Sequence, residues 1–133
     1  MAENAVVKEQ LTDAMIHSGA ELTSKLDENG VPIVAALWFF VPEVNEWRLL
    51  FASPEVSTQG PRAVYEKIRR AVEELGSDAA IPLSMIAVLD AEADLVRLLK
   101  AAIRTGPGIS RIRFSKNAVE GHFIDDALIY RAA

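Results

Sequence analysis

The chain is predicted to be an α+β protein, a mixed sheet carrying an N-terminal helix and two crossover helices. Three observations predict it. Helical spacing of apolar residues recurs in three stretches, β-type runs or alternation occur in five, and the two patterns interleave in the order αββαβαββ.

The first helix is expected over about residues 4–27, where Val7, Leu11, Ala14, Met15, Ser18, Leu22 and Leu26 fall at three- and four-residue steps. Lys8, Glu9, Asp13, His17 and Glu21 lie off that stripe, and the turn formers Gly30 and Pro32 end it. "IVAALWFFV", residues 33–41, is short and rich in β-branched and aromatic residues, the pattern of a strand covered on both faces. "PEVN" is a loop of hairpin length, and "EWRLLFA", residues 46–52, is the returning strand.

"SPEVSTQGP" reads as a connection, with Pro61 suited to the first turn of a second helix. Val64, Ile68, Ala71, Val72 and Leu75 form its apolar stripe, and Gly76 caps it. "LSMIAVLD", residues 83–90, is an apolar central strand. A third helix over about 91–105 follows, with Leu95, Leu98, Leu99, Ala102 and Ile103 in register and "TGPG" as its stop. "SRIRFS" alternates Ile112 and Phe114 against Arg111 and Arg113, and residues 119–131 complete a C-terminal hairpin.

A length of 133 residues suits one domain over 1–133, and half the residues are hydrophobic while a quarter are charged, which argues for a folded core rather than disorder. With no cysteine, disulfides, thiolate zinc sites and cysteine nucleophiles are excluded. The start "MAENAVVKEQ" lacks a signal-peptide pattern, and the longest apolar run, nine residues, is too short for a membrane span of about twenty. A cytoplasmic protein without membrane contact is expected.

The net charge of −5 weighs against general nucleic-acid binding. The charge is also unevenly spread. Residues 1–60 hold nine acids against three bases, a balance of −6, whereas residues 95–119 hold six bases and no acid. Such asymmetry suits a local anion site or self-association.

The densest group of chemically capable residues is "VEGHFIDDALIYRA", residues 119–132. On a regular strand Asp125 and Asp126 point to opposite faces, so adjacency does not pair them. His122 and Asp126 share a face, but at about 3.3 Å per residue their Cα atoms stand roughly 13 Å apart. A bulge at the two aspartates would re-aim one of them, and a short helix over "DALIYRAA" would make Asp125 its cap. Asp90 ends an apolar strand just before a helix, a position used both for ligand binding in open sheets and for helix capping. Asp90, Asp125, Asp126 and His122 are therefore the candidate catalytic residues, with Glu46 beside Arg48 as a fainter acid candidate.

With His17 as the second of two histidines and no convergent spacing, no metal site and no cofactor is expected. "GPGISR" mimics a dinucleotide glycine motif but holds Arg111 at the third glycine position and follows rather than opens a helix. No P-loop and no GxSxG elbow occurs.

Arg111 and Arg113, on one face of "SRIRFS" near the GPG backbone, are the candidate anion-binding pair, with sheet-edge protection as the alternative role. Trp38, Phe40 and Trp47 are the candidate interface residues, because both faces of the first strand carry bulky apolar groups. The reading that follows is a small cytoplasmic protein-binding or regulatory module, homodimeric, with an unidentified protein partner. A metal-dependent hydrolase or nuclease using these carboxylates is the alternative, and anion or nucleic-acid binding through residues 97–116 the weaker one.

Overall fold

The computed structural model describes residues 7–76 and 81–133. Its elements are α1 (Asp13–Glu28), β1 (Ala35–Val41), β2 (Glu46–Ser53), a one-turn α2 (Glu55–Gln59), α3 (Pro61–Leu75), β3 (Ile86–Asp90), α4 (Asp94–Ala102), β4 (Ile112–Val119) and β5 (His122–Ala132). The fold is α+β with a five-stranded mixed sheet in the order β3-β2-β1-β5-β4. β2 and β3 are parallel and every other pair is antiparallel. The parallel pair follows from the α2–α3 crossover, since parallel neighbours need a long connection.

Helix α1 starts later than the apolar spacing predicts. Thr12 caps it, its hydroxyl accepting the Met15 backbone N–H at 3.1 Å, and Asp13 sits in the first turn where the helix dipole favours an acid. Residues 7–11 are not helical, and residues 4–6 of the expected helix lie outside the described residues. The connection at 54–60 gains the turn of α2, while the third predicted helix is trimmed to α4 because Ala93, not Asp90, is its N-cap.

Helices cover both faces of the sheet. On one face α1 and α3 supply Leu22, Leu26, Val64, Ile68 and Ala71 against Trp38, Phe40, Trp47, Leu49 and Phe51. On the other, Leu99 of α4 packs with Leu37, Leu50, Ala127 and Ile129. The strand "AALWFFV" thus buries residues on both sides, which is why its apolar run does not alternate with polar residues.

β5 carries one residue more than β1 can pair. Ala36 faces Arg131 but Leu37 faces Ile129, so Tyr130 is the extra residue of a bulge. Tyr130 and Arg131 consequently both reach the α1 side. The Tyr130 hydroxyl donates to the Ile16 carbonyl and accepts from Trp38 Nε1 at 3.0 Å. Arg131, 3% exposed, forms a two-pronged pair with Asp27 at 3.0 and 2.7 Å and donates to the carbonyls of Ile33 and Gly108. Burial pushes the Tyr130 hydroxyl up to about 12, so it stays a donor at physiological pH.

These contacts require α1 to lie very close to the sheet, and Gly19 permits it. A Cβ at Gly19 would meet the Tyr130 hydroxyl oxygen inside contact distance and Trp38 Nε1 at 2.7 Å. Among the described residues no helix is long and apolar enough to cross a membrane.

Glycine to alanine inside a helix ordinarily stabilises by about 0.5–1 kcal/mol. Here Gly19→Ala is expected to destabilise by about 1–3 kcal/mol through overpacking, and Tyr130→Phe, which removes the clashing oxygen, to reduce the added penalty. Urea denaturation of the two single variants and the double variant measures this; a Gly19→Ala chain as stable as the original would refute the close-approach role.

Candidate functional site

The C-terminal hairpin turns through Glu120 and Gly121, with φ of 49° and 83°, the positive values a two-residue hairpin loop needs. Its ladder keeps one register from Ile112–Ile129 to Val119–His122 but lacks the Lys116–Asp125 pair, and Lys116 stands at φ 46°. The break changes which way side chains point. Ile124 joins the α4-side cluster with Ala127 and Ile129, whereas Asp126 meets Arg113, Ser115 and Lys8 on the α1 side. In a regular strand residues 124 and 126 would share a face.

Two sequence expectations change as a result. Asp125 and Asp126, placed on opposite faces by regular strand geometry, both contact one ammonium: Lys8 Nζ lies 3.2 Å from Asp125 Oδ2 and 2.8 Å from Asp126 Oδ2. His122 and Asp126, placed on one face, are separated, because His122 lines a shallow depression with Asp94, Arg97, Leu98 and Glu120 beside α4. The alternative terminal helix does not form, since residues 122–132 are strand.

Asp126 is the centre of the cluster. Arg113 grips it with two bonds, Nε to Oδ1 at 2.7 Å and Nη2 to Oδ2 at 2.6 Å, and the Ser115 hydroxyl donates to Oδ1 at 2.9 Å. Burial alone would raise its pKa, but the hydrogen bonds from Arg113, Lys8 and Ser115 outweigh it and hold the carboxyl well below the usual carboxylate range. For Lys8 burial works downward, and the bonds to Asp126 and Asp125 prevail, raising its pKa above that of an ordinary lysine. Arg113 is raised too, chiefly by its hydrogen bond to Asp126.

Aromatic rings complete the enclosure. The Lys8 ammonium lies 4.6 Å from the centre of the Phe40 ring and 5.8 Å from that of Trp47, and the Arg113 guanidinium sits 5.6 Å from Trp47. Phe40 and Trp47 pack tilted at 55° with centres 5.2 Å apart. Residues 7–9 are held there by main-chain bonds: Asn45 Nδ2 donates to the Val7 carbonyl at 3.0 Å, Glu9 N–H to Asn45 Oδ1 at 2.9 Å, and Trp47 Nε1 to the Glu9 carbonyl at 2.9 Å. An open cleft of about 550 Å³ runs along this segment, bounded by residues 8–13, Trp47, Arg113 and Asp126. Chemically the cluster is a charge clamp: its central carboxylate is ionised and both oxygens are occupied, which suits holding a cation rather than shuttling a proton.

The other predicted site residues lie apart. Asp90 ends β3, opposite Ser53, where its Oδ1 accepts the Glu92 N–H at 2.9 Å and shapes the turn before α4. Asp126 is three strands away across the sheet and towards its opposite end, next to the position paired with Phe39. Glu46 pairs with Arg48, and His17 lies exposed on α1, 3.5 Å from Glu21. Among the described residues no group of three or more histidines, aspartates or glutamates is arranged to hold a metal ion.

Arg113 is committed to Asp126 and Arg111 is exposed, while the GPG backbone is met by Arg131 instead, through the Gly108 carbonyl. Trp38, Phe40 and Trp47 are buried at 0%, 4% and 2% exposure, so with the Lys8 segment lying over Phe40 and Trp47 they have almost no surface to present to a partner. They are core residues. Covering by α1 and α3, rather than by another subunit, accounts for the bulk on that face of β1.

Lys8, Asn45 and Ser115 were not singled out by sequence patterns, yet they complete the cluster. One signal was present: Lys8 is the sole lysine or arginine before Lys25 in an acidic stretch. No protein-family model, curated protein or solved structure matches the chain.

Asp126 has its folded pKa below the ordinary value, so its contribution to stability is complete above about pH 4 and is lost as pH falls toward the folded value. Asp126→Asn is expected to lower stability at pH 7 by about 1–3 kcal/mol, since Lys8 and Arg113 retain solvent access. Denaturation at a series of pH values should show the gap to the original chain shrinking between about pH 4 and pH 2; a gap independent of pH would refute the clamp.

Proposed function

We propose that the chain is a cytoplasmic protein-binding or regulatory module that acts through protein–protein contacts and works as a homodimer. One observation carries this reading. β1 pairs with β5 no further than Ala127, so the hairpin from Ser115 to Asp126 extends past its sheet neighbour, and Phe123 on it is 64% exposed. A large aromatic on a projecting arm, beside the outer edge of β4, which no strand pairs among the described residues, is the kind of surface that associates.

The charge distribution supports the same reading. Acidic residues dominate the first 60 positions, and the bases Arg97, Lys100 and Arg104, with the single acid Glu92, border one depression along α4 and just past its end, an arrangement that orients two copies by opposite charge. A metal-dependent hydrolase is less well supported, because Asp90 and Asp126 sit at distant corners of the sheet and Lys8 occupies the Asp125–Asp126 pair.

Light scattering coupled to size exclusion is expected to give a mass twice the 14.5 kDa of one chain. Phe123→Asp is expected to weaken the dimer by about tenfold or more, one anchor residue's worth, with the circular dichroism of the folded chain unchanged. A chain that stays monomeric at high micromolar concentration, or a variant that dimerises as before, would overturn the proposed dimer surface.

A further inference from the structure

The way residues 7–9 are held separates what the protein recognises from what it ignores. Among the described residues three hydrogen bonds join the main chain of this segment to the body, at the Val7 carbonyl, the Glu9 N–H and the Glu9 carbonyl. The Asn45 amide supplies two of them, one as donor and one as acceptor, bracketing Lys8 as a neighbouring strand would. Asn45 stands at φ 52°, in the left-handed region.

One side chain of the three is read. Lys8 places its ammonium between two carboxylates and over two aromatic faces, whereas Val7 is 84% exposed and Glu9 is exposed. Nothing in these contacts depends on Lys8 belonging to this chain. The groove asks for an extended backbone and one ammonium.

We infer that the cleft formed by Asn45, Trp47, Phe40, Asp125 and Asp126 is a binding site for an extended peptide segment carrying an unmodified lysine, and that residues 7–11 occupy it as an internal competitor. The ligand class follows from charge and shape. Two adjacent carboxylates, one already neutralised by Arg113, match a single cation, and the ring faces favour an ammonium stripped of some of its water. Lysine rather than arginine is specified, because Arg113 already takes the two-pronged position on Asp126 and leaves an opening for a compact charge.

Tethering makes the internal segment a strong competitor. A segment joined directly to its site acts at an effective concentration in the millimolar range. An outside peptide therefore gains access when the Lys8 ammonium is neutralised or the segment is drawn away. The inference gives the protein-binding reading a ligand class, and it stands without the dimer, since Asp125 and Asp126 share the hairpin with Phe123 but meet Lys8 within one chain.

The test uses the full chain and a five-residue peptide copying residues 7–11, in free-lysine and acetyl-lysine forms. Lys8→Glu sets an acid against Asp125 and Asp126 and displaces the internal segment. Fluorescence anisotropy is expected to show the free-lysine peptide binding this variant about tenfold tighter than the original chain, a further loss of about tenfold on acetylation, and no binding once Asp125→Ala is added.

The original chain provides a second readout. With the chain isotope-labelled and the peptide not, millimolar free-lysine peptide is expected to shift the backbone amide resonance of Glu9, which loses its bond to Asn45, and not the indole N–H of Trp38, which bonds Tyr130. Equal binding of both peptide forms, or no binding by Lys8→Glu, would overturn the inference. If that variant does not fold, an unmoved Glu9 amide resonance in the original chain overturns it. A monomeric chain that binds the peptide would remove the dimer and keep this site.

Discussion

The single extra residue in β5 governs most of the tertiary structure. Without the bulge, Tyr130 and Arg131 would point to opposite faces of the sheet. With it, both engage α1: Tyr130 near its start through Ile16, and Arg131 near its end through Asp27. Two anchors about three helical turns apart fix the direction of the helix as well as its distance from the sheet. Gly19, between them, is the residue that lets the helix approach closely enough for the first anchor to form.

That placement propagates to the charge clamp. Once α1 is docked, its Thr12 cap determines where the chain leaves the helix, and residues 7–11 have to cross the end of β1 and β2, where Phe40, Asn45 and Trp47 wait. Lys8 then reaches Asp126 from a position 118 residues away in the chain. The clamp is therefore a consequence of helix docking and adds a second tie between the N-terminal segment and the last strand. A helix beginning at residue 4 would have carried Lys8 away on its polar side.

Several elements were legible from residue patterns because their causes are local. The apolar stripes of α3 and α4, the doubly buried run of β1 and the turn formers between them each act over a few residues, so strand and helix were assigned correctly with ends off by a few positions. Thr12 followed by Asp13 also had a local meaning, a helix start, which the longer apolar spacing through Val7 and Leu11 obscured. Trp38, Phe40 and Trp47 illustrate the reverse difficulty. Their bulk was evident, but whether a helix of the same chain or another copy covers them depends on strand order.

The sequence by itself determined the α+β class, the succession of strands and longer helices, and the absence of thiol chemistry, since these follow from composition and short-range periodicity. Tertiary structure alone decided that Asp125 and Asp126 share one cation, that His122 belongs with α4 rather than with Asp126, and that Arg131 rather than Arg111 or Arg113 meets the GPG loop. The physical reason is the period of a strand. Direction alternates at every residue, so one bulge at Tyr130 and one missing pair at Lys116 and Asp125 reverse the facing of the side chains beyond them. Those irregularities arise from partners distant in the chain, which no local pattern records.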